Sequence, residues 1–200
     1  MTQIRSNAAA EIHPVLANRW SPRAFAADKP VGREILLSCL EAARWAPSCF
    51  GDEPWRFIVF DKANDKPGWD KMLACLAPKN QEWAKNAPVL LLVCAATLFR
   101  NGKPNRWGEY DTGQAAISLC LQAEAQGLAS HQMGGFDSDA ARTAFAIPDD
   151  VTPMAAIAIG YQASADNLDE GFREAELAER KRQPLGSNFF AGVWDAPLAD

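Results

Sequence analysis

The strongest constraint on this chain is an uninterrupted apolar run at residues 89–94, which follows directly after Pro88. A strand with one face in water alternates apolar and polar residues, whereas a run such as VLLLVC must be covered on both faces. We therefore predict a central strand of a sheet here, with other parts of the chain packed on either side.

The remaining segments predict a mixture of helices and strands in irregular order. Aromatic and β-branched residues favour a strand at 55–60, small apolar residues favour another at 155–159, and 130–132 is a short strand or a link. Helix 111–126 is apolar almost all round, so it lies either at the domain centre or at a subunit interface. Together the segments predict an α+β fold and one domain over residues 1–200. Further helices are predicted at 8–18, 33–45, 69–76 and 80–86, and Asp137 is predicted to cap another.

Composition and charge exclude several classes of partner. The net charge of -5 argues against binding to nucleic acid or to an anionic membrane, because both require a basic face. Residues 1–15 hold no apolar core of the kind a signal peptide needs, and the longest apolar run is far shorter than the ~20 residues that span a bilayer. The five cysteines include no CxxC pair, which is typical of a reducing compartment. We expect a cytoplasmic protein.

Common catalytic and metal-binding signatures are absent from the sequence. It contains no glycine-rich dinucleotide fingerprint, no P-loop, no GxSxG and no HExxH. With only two histidines and no cysteine pair, we predict no metal site. A nucleophilic pair of Cys49 and His131 is an alternative that nothing else in the sequence supports.

Two basic segments stand out in an otherwise acidic chain. The first is RWSPR, where Arg19 and Arg23 bracket the hydroxyl of Ser21 on a turn fixed by proline. The second contains Arg180 and Arg182. Forked guanidinium donors and a short hydroxyl suit a phosphate group. Each segment taken alone is more typical of a solvated basic loop.

Two further turns combine flexibility with polar groups. Gly134 and Gly135 follow Met133 and would let the backbone approach a flat ligand closely, although a simple tight turn explains them too. The loop at 46–56 is stiffened by prolines near both ends, and functional groups often lie on such held loops.

Taken in order, these segments resemble the nitroreductase family of FMN-dependent oxidoreductases across nearly the whole chain. The matching motifs are RWSPRAF, APSCFGDEPWRF, NQEWAKNAPVLLLVCA, MGGFD and RKRQPL. The resemblance implies a three-layer sandwich with a central, mostly antiparallel sheet flanked by helices. It also implies an intertwined homodimer with an exchanged C-terminal arm and FMN at the subunit interface. The aromatic tail at 188–194 is expected to wrap the other subunit.

The resemblance assigns roles to individual positions. Arg19, Ser21 and Arg23 are expected at the phosphate and ribityl chain, with Arg180 and Arg182 as a second basic arm. The loop from Pro47 is expected to reach the flavin of the partner subunit, and Asn80 to lie near the pyrimidine edge. The backbone after Met133 is expected under the isoalloxazine ring. The predicted cofactor-binding residues are Arg19, Trp20, Ser21, Arg23, Pro47, Ser48, Cys49, Gly51, Asn80, Met133, Gly134, Gly135, Arg180 and Arg182.

Some positions depart from the family pattern. Family members usually carry Asn in the 48–54 loop and often Gln just before the Pro-Trp pair, whereas this chain has Gly51 and Glu53 at those places. An ionised Glu53 cannot donate a hydrogen bond to a flavin carbonyl. Either main-chain groups hold the pyrimidine edge, or Glu53 faces away. Trp83 replaces a lysine found in some members, and we expect it to fill the core rather than pack beside the cofactor. His131 either lines the site or is a packed core residue.

The resemblance implies hydride transfer from NADH or NADPH to a small acceptor by a ping-pong mechanism. A nitroaromatic, a quinone or an activated alkene would be a suitable acceptor. The flavin would carry the chemistry, so no dedicated catalytic residue is predicted. Other functions remain open, namely dehydrogenation, flavin degradation, and flavin binding without turnover.

Overall fold

A computed structural model of the chain describes residues 8–198, and these form one sheet with helices packed against both of its faces. The strands are β1 (Trp55–Asp61), β2 (Val89–Ala96), β3 (Ala129–Met133) and β4 (Val151–Gly160). The α-helices are α1 (Pro14–Asn18), α2 (Arg33–Arg44), α3 (Lys66–Cys75), α4 (Pro78–Ala84), α5 (Gly108–Ala125), α6 (Ser138–Ala144) and α7 (Glu170–Leu177).

The four strands are ordered β1-β2-β4-β3, and every neighbouring pair is antiparallel. β2 and β4 are therefore central, while β1 and β3 form opposite edges. Cross-strand partners include Leu91 with Ile157 in the centre and His131 with Ala158 at one edge. The order of elements and the pairing confirm the predicted α+β class.

The predicted central strand is confirmed, because β2 is buried on both faces. Its alternate residues belong to two separate hydrophobic clusters. On one face Leu90 and Leu92 pack with residues of α3 and α4, including Trp69 and Trp83. On the other face Leu91 and its neighbours pack with residues of α2 and α5. This is the three-layer sandwich that the family resemblance implies. Exchange of the C-terminal arm stays a prediction.

Several helix boundaries differ from the prediction for reasons of proline chemistry and capping. The first helix begins at Pro14 rather than at residue 8, with the His13 side chain accepting a hydrogen bond from the Val15 N–H at 3.3 Å. Proline has no N–H to donate, so it is favoured at the first helical position and disfavoured inside a helix. For the same reason α4 begins at Pro78. The predicted cap at Asp137 is confirmed, since its side chain accepts from two N–H groups of α6.

Helix α5 lies within one of the two helical layers, between α2 and the sheet. Ala115 and Leu119 are completely buried, as expected for the domain centre. The opposite side of the helix leaves Tyr110 and Ile117 exposed, so the possibility of a subunit interface there stays open. Over residues 8–198 no helix is both long and apolar enough to cross a membrane.

Candidate functional site

The backbone of the basic turn at 19–23 is held by one local hydrogen bond and by two side chains from distant parts of the chain. Arg19 caps the end of α1 through its own N–H. The carbonyl of Pro22 lies 3.0 Å from Nδ1 of His131 on β3. The N–H groups of Arg23 and Ala24 donate to the carboxylate of Glu176 in α7. The turn therefore has a fixed backbone, and this determines where its side chains emerge.

A cavity of about 570 Å³ joins the two basic segments. Arg19 lies on its wall together with Arg180 and Arg182, which are more than 150 positions away in sequence. Among the described residues, neither Arg19 nor Arg182 forms an ion pair. Three guanidinium groups on one cavity make it a local positive site in an acidic protein. Its lining consists of Ala8, Ala9, Ala10, Ile12, Leu16, Arg19, Arg180, Arg182, Gln183, Pro184 and Leu185.

The other predicted residues of the basic turn are not part of this lining. The guanidinium of Arg23 lies over the ring of Phe172 instead, 5.9 Å from its centroid. Trp20 and Ser21 are partly buried next to the buried Pro22. The structure thus brings Arg19 together with the C-terminal arginines, while phosphate contacts from Ser21 and Arg23 stay a prediction.

The glycine turn follows directly after Met133, the buried last residue of β3. The Gly135 carbonyl accepts hydrogen bonds from the side-chain amide of Asn80 and from the Ala77 N–H, both at 2.9 Å. A Cβ at Gly135 would lie 2.8 Å from Nδ2 of Asn80, so a larger residue here would displace that amide. A Cβ at Gly134 would meet nothing within 4 Å. The structure therefore places Asn80 and the glycine turn in one open site.

His131 links the glycine turn to the basic turn. It lies on β3 and contacts the Pro22 carbonyl, while its ring centroid is 4.5 Å from that of Trp83. Burial lowers the pKa of His131 to about 4, and the nearby positive charge of Arg23 acts in the same direction. The imidazole is therefore neutral at pH 7. Because a carbonyl can only accept, Nδ1 carries the proton. Trp83 is 1% exposed, which confirms the expected core position.

The loop at 48–53 is held in an unusual conformation by polar contacts. The buried carboxylate of Asp111 accepts from the Cys49 N–H at 2.9 Å. The Ser48 hydroxyl accepts from the Glu53 N–H at 3.0 Å, and Arg100 donates to the Gly51 carbonyl at 2.6 Å.

These contacts support strained backbone and an exposed aromatic ring. Phe50, Gly51 and Glu53 all have positive φ, at 56°, 65° and 53°. Only glycine adopts such angles without steric cost. The Phe50 side chain is 95% exposed at the tip of the loop. Glu53 forms an ion pair with Arg100 at 3.8 Å, and Pro47 is exposed at the start of the loop.

Within one chain this loop is separated from the rest of the predicted site. It leads into β1, whereas the glycine turn follows β3 at the opposite edge of the sheet. Three strand spacings separate these edges, or roughly 14 Å. The alternative of a nucleophilic pair between Cys49 and His131 is therefore wrong for a single chain. Among residues 8–198, no group of three or more potential metal ligands assembles either.

Two buried carboxylates are site residues that the sequence did not reveal. Glu176 is 6% exposed and holds the basic turn, while Asp111 is 3% exposed and holds the 48–53 loop. Asp111 is the first residue of the predicted apolar helix, where an acidic side chain normally interacts with the positive end of the helix dipole. Glu176 belongs to a polar stretch that is indistinguishable from a solvated helix face. Only their three-dimensional surroundings identify them.

Comparison with known proteins agrees with this architecture. The chain is 35% identical to a solved oxidoreductase containing FMN, with a TM-score of 0.90 over 98% of this chain and 99% of that one. It is 35% identical over 126 residues to an uncharacterized 15.4 kDa protein of Mycolicibacterium smegmatis, which covers 63% of this chain and 84% of the relative. It is 29% identical over 191 residues to an NADH dehydrogenase of Thermus thermophilus, in an alignment that covers 80% of this chain and 88% of the relative. The family model named Nitroreductase family matches residues 16–161, so the chain belongs to the nitroreductase family.

Proposed function

We propose that this protein binds FMN and uses it to pass hydride from NADH or NADPH to a small acceptor. The observation that carries the proposal is the cavity lined by Arg19, Arg180 and Arg182 in a chain of net charge -5. Forked guanidinium donors on one cavity suit a phosphate group, and FMN carries a terminal phosphate. The solved structure that contains FMN supports the choice of flavin.

The donor set at the phosphate end fits this ligand. Each charge-assisted hydrogen bond is worth about 1.5–3 kcal/mol net. Three such contacts supply much of the ~8 kcal/mol that micromolar affinity requires. The cavity volume of about 570 Å³ lies within the range typical of small-molecule sites. We assign Arg19, Arg180 and Arg182 to the phosphate.

The glycine turn is the proposed site of the flavin ring. Gly134 has open space where a side chain would be, so a planar group can approach the backbone closely. Asn80 already donates to Gly135, which leaves its carbonyl oxygen to accept from a ring N–H. His131 is neutral, so it adds no charge beside the ring. When bound, FMN supplies reversible two-electron chemistry, and the protein supplies position and electrostatics.

The proposed reaction is ping-pong, with the dinucleotide and the acceptor using the same open face in turn. The similarity to an NADH dehydrogenase supports a nicotinamide as reductant. Nitroaromatics, quinones and activated alkenes are the proposed acceptors. We place the enzyme in the cytoplasm, a proposal supported by its five free thiols.

We further propose a homodimer in which the 48–53 loop of one subunit completes the site of the other. The loop and the glycine turn lie at opposite edges of the sheet, so a second copy is needed to unite them. Exposed aromatic side chains around the loop support an interface there. They are Trp45, Phe50, Trp107 and Tyr110, which are 72%, 95%, 41% and 67% exposed. Trp194 in the C-terminal tail is 86% exposed and is proposed to pack on the partner.

The decisive experiment is to purify the protein, record its absorbance spectrum and mass, and reconstitute it with FMN. We expect a flavin spectrum, a dimeric mass, and anaerobic bleaching of the flavin on addition of NADH or NADPH. Failure to bind FMN after reconstitution would overturn the proposal. A monomer that retains full FMN affinity would overturn the shared site.

Flavin binding without turnover is the second candidate function. Glu53 favours it, because a carboxylate paired with Arg100 cannot donate to the flavin carbonyls. Bound FMN that neither nicotinamide reduces would select this alternative. Glu53→Gln would then test whether restoring an amide donor restores reduction.

A further inference from the structure

The cavity depends on how the C-terminal segment is attached to the basic turn. Glu176 lies in the last turn of α7, a few residues before Arg180. Its Oε1 accepts from the N–H groups of Arg23 and Ala24, both at 3.1 Å. Its Oε2 accepts from the Arg23 N–H at 2.9 Å. The carboxylate thus accepts hydrogen bonds from two successive backbone N–H groups.

A carboxylate at this position needs strong compensation. Glu176 is 6% exposed, and burying a charge is unfavourable unless it is hydrogen-bonded. It also lies near the negative end of the α7 dipole, where an anion is disfavoured. Charge-assisted bonds to two N–H groups offset both effects. An apolar side chain of similar size would leave the N–H groups of Arg23 and Ala24 without an acceptor, so the carboxylate is needed to hold this part of the chain.

The contacts on either side of Arg19 show what the carboxylate achieves. Arg180 donates to the carbonyl of Ala17 at 3.1 Å, just before Arg19 in sequence. Glu176 binds the chain just after Arg19, at Arg23 and Ala24. The C-terminal segment is therefore hydrogen-bonded to the chain on both sides of Arg19, at Ala17 in α1 and at the end of the basic turn. These hydrogen bonds set the spacing of the guanidinium groups across the cavity.

We infer that Glu176 is a positioning residue for phosphate recognition, because it fixes the basic turn against the arm that carries Arg180 and Arg182. The inference rests on the proposed FMN function and deepens it. Glu176 does not touch the phosphate, and as an anion it would weaken phosphate binding by charge alone. Its removal is nevertheless expected to weaken binding, because the geometric effect outweighs the electrostatic one.

Two substitutions separate geometry from charge. In Glu176→Gln, either orientation of the amide turns an NH₂ group toward the Arg23 N–H, so donor faces donor. Glu176→Asp keeps the charge but is one methylene too short to reach both N–H groups. Glu174→Gln is the matched control, since it removes the same charge from an exposed residue of the same helix.

The test compares the dissociation constants of FMN and riboflavin, which differ only in the phosphate, by fluorescence titration of each purified protein. We expect both Glu176 variants to lose at least about tenfold in FMN affinity, with riboflavin affinity changed less than twofold. Glu174→Gln should match the wild type. Circular dichroism at the titration temperature checks that each variant is folded.

Each other outcome has a definite meaning. Unchanged FMN affinity in both variants overturns the inference while the proposed function stands. Equal losses for FMN and riboflavin also overturn it, because they indicate general damage rather than a phosphate effect. A wild-type protein that binds neither ligand overturns the proposed function itself.

Discussion

Acidification is expected to destabilise this protein through His131. The imidazole donates from Nδ1 to the Pro22 carbonyl and packs against Trp83, with its pKa lowered by burial to about 4 from an ordinary 6.5. In the unfolded chain the same group takes up a proton near pH 6.5. Between these two pH values the unfolded state binds more protons than the folded state, so the free energy of unfolding falls as the pH is lowered.

The size of the effect follows from the two pKa values. Above about pH 6.5 both states are neutral and the contribution to stability is fully present. It is lost progressively as pH falls toward the folded pKa of about 4. Proton linkage gives a loss of about 2 kcal/mol between pH 7 and pH 5, and roughly 3 kcal/mol over the whole window.

Urea unfolding at pH 7, 6 and 5 measures this loss at one fixed protein concentration. Carboxylates also titrate near the acidic end, so the comparison is with His131→Asn, whose side-chain amide can donate to Pro22 but does not titrate. We expect the stability difference between wild type and variant to shift by about 2 kcal/mol from pH 7 to pH 5. Parallel pH profiles for the two proteins would refute the reasoning.

Three further perturbations test the site. Arg182→Ala should weaken FMN binding by roughly 10- to 150-fold, because one charge-assisted contact is lost. The control Arg173→Ala removes an exposed ion pair outside the cavity and should leave the dissociation constant of FMN unchanged in the same titration. Asp111→Ala should lower the free energy of unfolding in urea by about 1–3 kcal/mol, because the Cys49 N–H loses its acceptor. Asp111→Asn should lower it less, and equal losses for the two variants would contradict this account. Gly135→Ala should displace the side chain of Asn80, and an unchanged flavin absorbance spectrum in that variant would count against the turn as the ring site.

Much of the layered architecture is determined by local pattern. An uninterrupted apolar run cannot lie at a wet surface, so residues 89–94 had to form a doubly covered strand, and β2 is one. The effect of proline is equally local: the predicted first helix has Pro14 in its interior, whereas the helix begins at this residue because proline lacks an N–H. The order of five weak motifs then indicated the family, because each segment's meaning depended on the others.

The make-up of the site was decided only in three dimensions. In the sequence, Arg19 and Arg182 cannot be told from surface charges, but the fold brings both to one cavity. The guanidinium of Arg23 lies over the ring of Phe172 instead. Whether a side chain faces a ligand depends on the backbone direction of its turn, and distant contacts set that direction. No local pattern encodes it.

The same holds for the residues that hold the site and for the separation of its two parts within one chain. Glu176 resembles any acidic residue of a polar helix, and its importance comes from two N–H groups more than 150 positions away. Strand order places the 48–53 loop and the glycine turn at opposite edges of the sheet. The sequence by itself therefore determined the layers, the family and the chemical type of each segment. The tertiary structure decided which segments meet, because pairing between distant strands and burial of single charges depend on the whole packed chain.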